Sequence, residues 1–203
     1  MDRAERRRQL KDDRRIVARG LPGHDPGLET IVSLMRVLHA LLEEARDAGT
    51  VAPVMAFLHE NMTSAARPGP AKALACAKGC AHCCHGWVSA RAPEILFAKK
   101  AVPGRDREAV RAAVDVAHAA TGALDFDGRA GVPVPCPLLA NDQCRIYAAR
   151  PSVCRTAVSV DARICERAYR LGDAGALVPK PEFYVNLRSG YAIALAGALK
   201  QAG

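Results

Sequence analysis

The sequence predicts a mainly α fold, a small helical domain carrying a loop-rich cysteine metal-binding layer. Three observations carry this expectation. Apolar residues recur at helical spacing in several stretches, Pro and Gly interrupt the chain between them, and all eight cysteines fall between Cys76 and Cys165. The 203 residues are 50% hydrophobic and 25% charged, ordinary globular composition that excludes a wholly disordered or collagen-like chain. No apolar run approaches the roughly 18 to 20 residues that span a bilayer. The start, Met1 to Leu10, has no apolar stretch behind its charges. No membrane association is expected, and the expected localisation is cytoplasmic.

Taken in order, Met1 to Arg19 holds eight basic and four acidic residues, half of the net charge of +8. Without sustained apolar periodicity, residues 1–27 read as a basic flexible arm or a frayed, solvated helix, closed off by the Pro- and Gly-containing stretch Leu21 to Gly27. No aromatic residues interleave with these cations, so the arm reads as a solvated tail, and nucleic acid is not an expected partner. Residues 28–203 then form a single helical domain. Leu28, Ile31, Val32, Met35, Leu38 and Leu42 mark its first helix, with Gly49 as the stop. Thr50 is placed to cap a second, with Val51, Met55, Leu58 and Met62 as its stripe before Pro68-Gly69-Pro70. His39 and His59 fall within these helices and read as surface or core-edge residues.

A third helix starts at Ser89 to Ala92, tolerates Pro93 in its first turn and runs to about Lys100. Arg105 to Ala120 forms a fourth, with Val110, Ala113, Val114 and Ala117 on one face. Asp125 to Pro137 reads as loop, its Asp125 to Gly128 run as a turn lacking the further ligands of a calcium loop. Short extended or turn pieces follow around Cys136 to Tyr147, then a helix near Ala162 to Leu171. The final helix is the clearest: Phe183, Leu187, Tyr191, Leu195 and Leu199 recur at every fourth residue.

Clustered cysteines in a reducing compartment point to metal binding or redox chemistry in preference to structural disulfides. The first block, Cys76, Cys80, Cys83 and Cys84, packs four thiols into nine residues. The two residues between Cys80 and Cys83 allow both sulfurs to face one centre, and Gly79 permits a positive φ. Cys83 and Cys84 are adjacent and do not easily face the same ion. One ligates while the other packs, ligates a second metal or hydrogen-bonds nearby. In the second block, a turn at Asn141-Asp142 returns Cys144 toward Cys136, and Cys154 and Cys165 follow. Lys78, Arg145, Arg150 and Arg155 are electrostatically apt neighbours for thiolates, or simply surface residues. His82 and His85 flank the vicinal pair, and read as exposed or outer hydrogen-bonding residues more than as ligands. The ligand pool is Cys80, Cys83, Cys84, Cys136, Cys144 and Cys154, with Cys76 and Cys165 next.

These residues resemble the YkgJ-like cysteine-cluster family, known for its CxxCxxCC motif. The resemblance rests on the Cys76 to Cys84 block, Glu94, Cys136-Pro-Leu-Leu, Cys144 with Ile146-Tyr147, and Arg150-Pro151 leading to Cys154-Arg155. Three residues separate Cys76 from Cys80 where the motif has two. The resemblance covers Cys76 to Cys165 and implies chelation of zinc or iron. Some larger relatives, flagellin lysine methylases among them, use an adenosylmethionine cofactor, but no segment here is assignable to that chemistry. Glu94 is read as a first-turn helix acid.

The leading expectation is a metal-binding protein whose thiolates coordinate an iron-sulfur cluster (4Fe-4S) or Zn2+, with a structural, redox or electron-transfer role and an unidentified protein or redox partner. Four thiolates suit a four-iron cluster and a closed tetrahedral zinc equally. The alternative is a cluster-assisted or thiol-dependent enzyme, and an interaction module delivered by the basic arm is a third class.

Overall fold

The computed structural model describes residues 2–18, 20–22, 27–67, 74–77, 79–130 and 132–203. Arg19, most of the break before Gly27, the Pro68-Gly69-Pro70 stop, Lys78 and Gly131 lie outside these described residues. The chain is mostly helical, and its internal contacts group into two units. The first comprises Met1–Pro70, Arg91–Phe97 and Glu182–Gly203, the second Ala71–Ala90 and Ala98–Pro181. Residues 28–203, expected as a single domain, are therefore divided between them.

The first unit is built by packing of apolar helix faces. The stretch read as a flexible arm or a frayed, solvated helix is a capped helix, α1 (Arg3–Val17). Charge counting concealed two causes. Asp2 accepts from the N–H groups of Ala4 and Glu5 while the Glu5 carboxylate accepts from Asp2 N, a reciprocal capping box. Asp13 and Val17 are fully buried where α1 lies on α2 (Leu28–Ala48). The remaining cations of α1 form a solvated face.

Asp13 accepts two hydrogen bonds from the Arg36 guanidinium, 2.8 Å from Nε and 2.6 Å from Nη2. Burial alone raises the Asp13 carboxyl. Hydrogen bonds from Arg36, Ser33 and Gln9, together with the Arg36 charge, outweigh burial and hold it below its ordinary value.

Helix α2 buries Leu34, Val37, Leu38, Leu41 and Leu42, and stops at Gly49, whose φ of 64° is left-handed. Thr50 accepts from Ala52 N at the start of α3 (Ala52–Ala66), which buries Val54, Met55, Leu58 and Met62. The last helix, α9 (Glu182–Ala202), packs on α2 and α3 and buries Leu187, Tyr191 and Leu195 from the every-fourth-residue stripe. A polar clasp crosses this core. Asn61 Nδ2 donates to Val17 O at 2.5 Å, the Tyr191 hydroxyl donates to Asn61 at 2.7 Å, and Leu21 N donates to that hydroxyl at 3.2 Å. Gly20 lets the chain pass: its φ is 77°, and a Cβ there meets Ala65 Cβ and Asn61 O at 2.6 Å. His59 is buried against the Phe97 ring, a core role.

The second unit is made of short pieces. Helix α4 (Ala92–Ala101) passes from one unit to the other, and α5 (Arg107–Thr121) buries no residue fully. Within the stretch expected as loop lies a short helix, α6 (Phe126–Ala130), started by Asp125, whose carboxylate accepts from Gly128 N. The expected turn is a two-residue hairpin: β1 (Leu139–Ala140) pairs antiparallel with β2 (Gln143–Cys144), Leu139 opposite Cys144. Asn141 and Asp142 join them with φ of 48° and 55°, the mirror-image turn these residue types tolerate. Helices α7 (Ser152–Arg155) and α8 (Ala162–Cys165) follow, the latter capped by Asp161 and widened into a π turn over Glu166–Arg170. No described helix is long and apolar enough to cross a membrane.

Two stability predictions follow from the first unit. Asp13→Ala leaves Arg36 without its partner and is expected to cost about 2 kcal/mol in urea unfolding, whereas Asp12→Ala, removing an exposed pair with Arg15, costs at most about 0.5. Because the Asp13 carboxyl is depressed in the folded state, its contribution is present at neutral pH and is lost as pH falls below about 4. The two variants therefore converge in stability in acid. Gly20→Ala, strained by both φ and contact, is expected to lower stability by about 2 kcal/mol.

Candidate metal centre

All eight cysteines are free thiols of the second unit. Cys76 is held by Ser159, whose N–H donates to Cys76 Sγ at 3.4 Å while Ala75 N donates to Ser159 O at 2.9 Å. The same serine partly offsets the burial that raises the Cys165 thiol. Gly79 takes the positive φ its place in the motif requires, 87°, and Cys80 N closes the turn onto Ala77 O at 3.0 Å. A 3-10 turn, His82–His85, then carries Cys83 and Cys84. Tyr169 packs on Gly86 directly after it, so closely that a Cβ on residue 86 falls 2.8 Å from the ring.

Backbone bonds bring the second block to this turn. Cys136 N donates to Cys84 O at 2.7 Å, and Val134 N to His85 O at 3.1 Å. Leu139 N folds back onto Cys136 O at 2.8 Å, and the hairpin sets Cys144 opposite Leu139. Cys154 is positioned by α7, whose first turn bonds its N–H to Pro151 O at 2.9 Å. The Arg155 guanidinium secures the preceding loop, donating to the carbonyls of Arg150 and Ala148.

The electrostatics of the thiols follow from this placement. Cys76 and Cys165 are raised chiefly by burial, partly offset by Ser159, and each lies within the field of Cys80 and Cys83. Cys136 is raised by burial, with Cys144 and Cys83 adding repulsion. Burial pushes Cys154 up to about 12, with Cys136, Cys83 and Cys144 adding to it. The vicinal pair divides one proton. Cys84 donates to Cys83, which lowers Cys83 and raises Cys84 well above the ordinary thiol range. Arg150 and Lys180 help to lower Cys83.

Of the described basic residues singled out by sequence, Arg150 acts on the thiols in this way. Its guanidinium also lies 3.7 Å above the Tyr147 ring. Arg145 pairs instead with Asp106 at 2.9 Å. Lys180 and Ser159 were missed, since neither belongs to a motif. Glu94 is buried in the first unit and accepts from Arg91 N at 2.8 Å, the helix-start role expected of it. His85 Nδ1 lies 3.2 Å from Ala81 O. His82 Nδ1 is buried with no hydrogen-bond partner among the described residues, between Cys80 and Cys83 in sequence.

Among the described residues, no three Cys, His, Asp or Glu side chains converge tightly enough to enclose an ion. The donor chemistry nevertheless fits zinc or iron: eight soft, unpaired sulfurs and an orphaned ring nitrogen occupy neighbouring short turns. With reduced, metal-free protein at pH 7, iodoacetamide is expected to modify Cys83 ahead of Cys84 and Cys154, as resolved by tandem mass spectrometry. Prior reaction at either of the other two contradicts the assigned proton position.

Residues 75–171 match the model of the CxxCxxCC family, described as "Putative zinc- or iron-chelating domain". Comparison with curated proteins and with solved structures produced no match. The matched segment holds all eight cysteines, and it includes the Ser159 and Tyr169 that hold the first block in place. The cysteine-bearing segment 75–171 is thus similar to the CxxCxxCC family, as its motif residues led one to expect.

Proposed function

We propose that this chain is a metal-binding protein whose clustered thiolates hold zinc or an iron-sulfur cluster, in a structural, redox or electron-transfer role. One observation carries the reading: all eight cysteines are free thiols of one unit, whose described residues bury few large apolar side chains. Bound zinc supplies a closed tetrahedral crosslink, whereas an iron-sulfur cluster supplies one-electron chemistry. The chain's own contribution is to pre-position the sulfurs. Ser159 holds Cys76, the hairpin returns Cys144, and Arg150 and Lys180 offset the charge that accumulates as protons leave. Because most of these thiols are raised, loading a metal releases protons, and apparent affinity increases with pH.

A second reading, a thiol-dependent enzyme, rests on the Cys83–Cys84 pair, a lowered thiol beside its hydrogen-bond donor. Any activity that persists after metal removal favours it.

The deciding experiment is anaerobic purification followed by metal and sulfide analysis and a visible absorption spectrum. Iron with equimolar labile sulfide and a brown colour identify a cluster, and stoichiometric zinc in colourless protein identifies a zinc site. Absence of both metals after anaerobic isolation contradicts the proposal. Cys144→Ser is expected to lose bound metal and to melt at a lower temperature than the wild type, because metal binding and folding are coupled. Unchanged metal content removes Cys144 from the ligand set.

A further inference from the structure

Helix α1 carries most of its cations on one side. Arg3, Arg7, Lys11 and Arg14 stand at successive turns of one exposed face, with Arg8 and Arg15 beside them. At the helical rise per residue this row is about 16 Å long. The acids of the same stretch are engaged elsewhere. Asp2 and Glu5 close the capping box, Asp12 pairs with Arg15, and Asp13 is buried against Arg36. Among the described residues, Arg3, Arg7, Lys11 and Arg14 therefore have no ion pair. Arg7, Lys11, Arg14 and Arg15, together with Leu10 and Ala18, line a shallow, open depression along this face. The row is also fixed in place, because Asp13 and Val17 anchor α1 on α2 and its backbone needs no ordering when a ligand arrives.

A line of unneutralised guanidinium and ammonium groups is complemented by a line of phosphates. Three polyphosphate surfaces differ in what else they require. A helix lying in a membrane surface inserts an apolar face beneath its cations, and the inward face of α1 is already packed on α2. Single-stranded nucleic acid calls for aromatic rings on which bases stack, and residues 2–18 contain none. A duplex requires neither, since it presents closely spaced phosphates on the outside of a stiff rod.

We propose that the exposed face of α1 is a docking surface for double-stranded nucleic acid, with Arg3, Arg7, Lys11 and Arg14 contacting backbone phosphates and no base being read. The surface belongs to the first unit and does not depend on what the thiols bind.

The test is fluorescence anisotropy of the full chain with a labelled DNA duplex of about 20 base pairs, and with the RNA duplex of the same sequence, from about 50 to about 200 mM salt. Four phosphate contacts predict a log–log slope of affinity against salt of about −3.6, a loss of roughly 100-fold across that range. Whichever duplex binds more tightly identifies the source of the phosphates. The triple variant Arg7→Gln, Lys11→Gln, Arg14→Gln is expected to bind about tenfold or more weakly at the lowest salt and to flatten the slope to about −1. A control triple variant, Arg105→Gln, Arg107→Gln, Arg111→Gln, removes the same charge from exposed positions of the second unit and is expected to bind within about twofold of the wild type.

Absence of wild-type binding at the lowest salt, or a slope shallower than about −2, overturns the proposal. Equal weakening by the two variants also overturns it, since net charge and not the row is then responsible. Tighter binding to a single strand, to phosphatidylserine vesicles or to polyglutamate overturns the choice of partner. The wild-type slope and the control variant decide the matter even if the α1 variant fails to fold.

Discussion

The second unit is constrained by how little apolar surface it can remove from water. Among its described residues the fully buried apolar side chains are Ala81, Ala98, Val102, Ile146, Ala149 and Cys165, most of them small. The first unit buries leucines, valines, methionines and Tyr191 from four helices. Burial of apolar area is the dominant favourable term in folding, and small cores fall short of the conformational entropy they must offset. Units in that position are commonly stapled by disulfides or metals. With its cysteines unpaired, the staple consistent with the proposed function of this unit is a metal ion, and its described elements are short turns, a hairpin and one-turn helices.

The same constraint explains where polar groups sit. Ser159 is nearly inaccessible and bonds not only Cys76 but also the carbonyls of Asp161 and Pro179. It therefore fixes one thiol and the start of α8 together. Tyr169 reaches Gly86 from the π turn, a widened register that shifts the ring along its helix. Neither arrangement buries much area. Both define the position of a sulfur-bearing turn, which matters more here than bulk packing.

Legibility in the sequence divided along the same line. Periodic apolar stripes made α2, α3 and α9 readable, because those helices are stabilised by the faces the period reveals. Gly49 and Thr50 marked a boundary through backbone chemistry. By contrast, α1 was hidden by its charge: its anchors are one acid, Asp13, and one valine, Val17, too sparse to form a stripe. Helix α6 was hidden by the Gly and Pro around it, since a one-turn helix capped by Asp125 needs no apolar pattern. In the site, cysteine spacing, Gly79 and the Asn141-Asp142 turn were legible because each expresses a local geometric demand. Ser159, Lys180 and the unpartnered His82 nitrogen were not, because their significance arises only when distant segments meet.

Charge sets the vicinal pair apart from the other described cysteines. Eight thiolates in so small a volume repel strongly, and most of these thiols stay protonated through burial. Cys83 departs from the rest because Cys84 donates a hydrogen bond to it and because Arg150 and Lys180 face it. A sulfur already disposed to lose its proton is the natural first ligand for an incoming cation. A bound cation's charge would lower the thiols around it, and repulsion among them would give way to coordination.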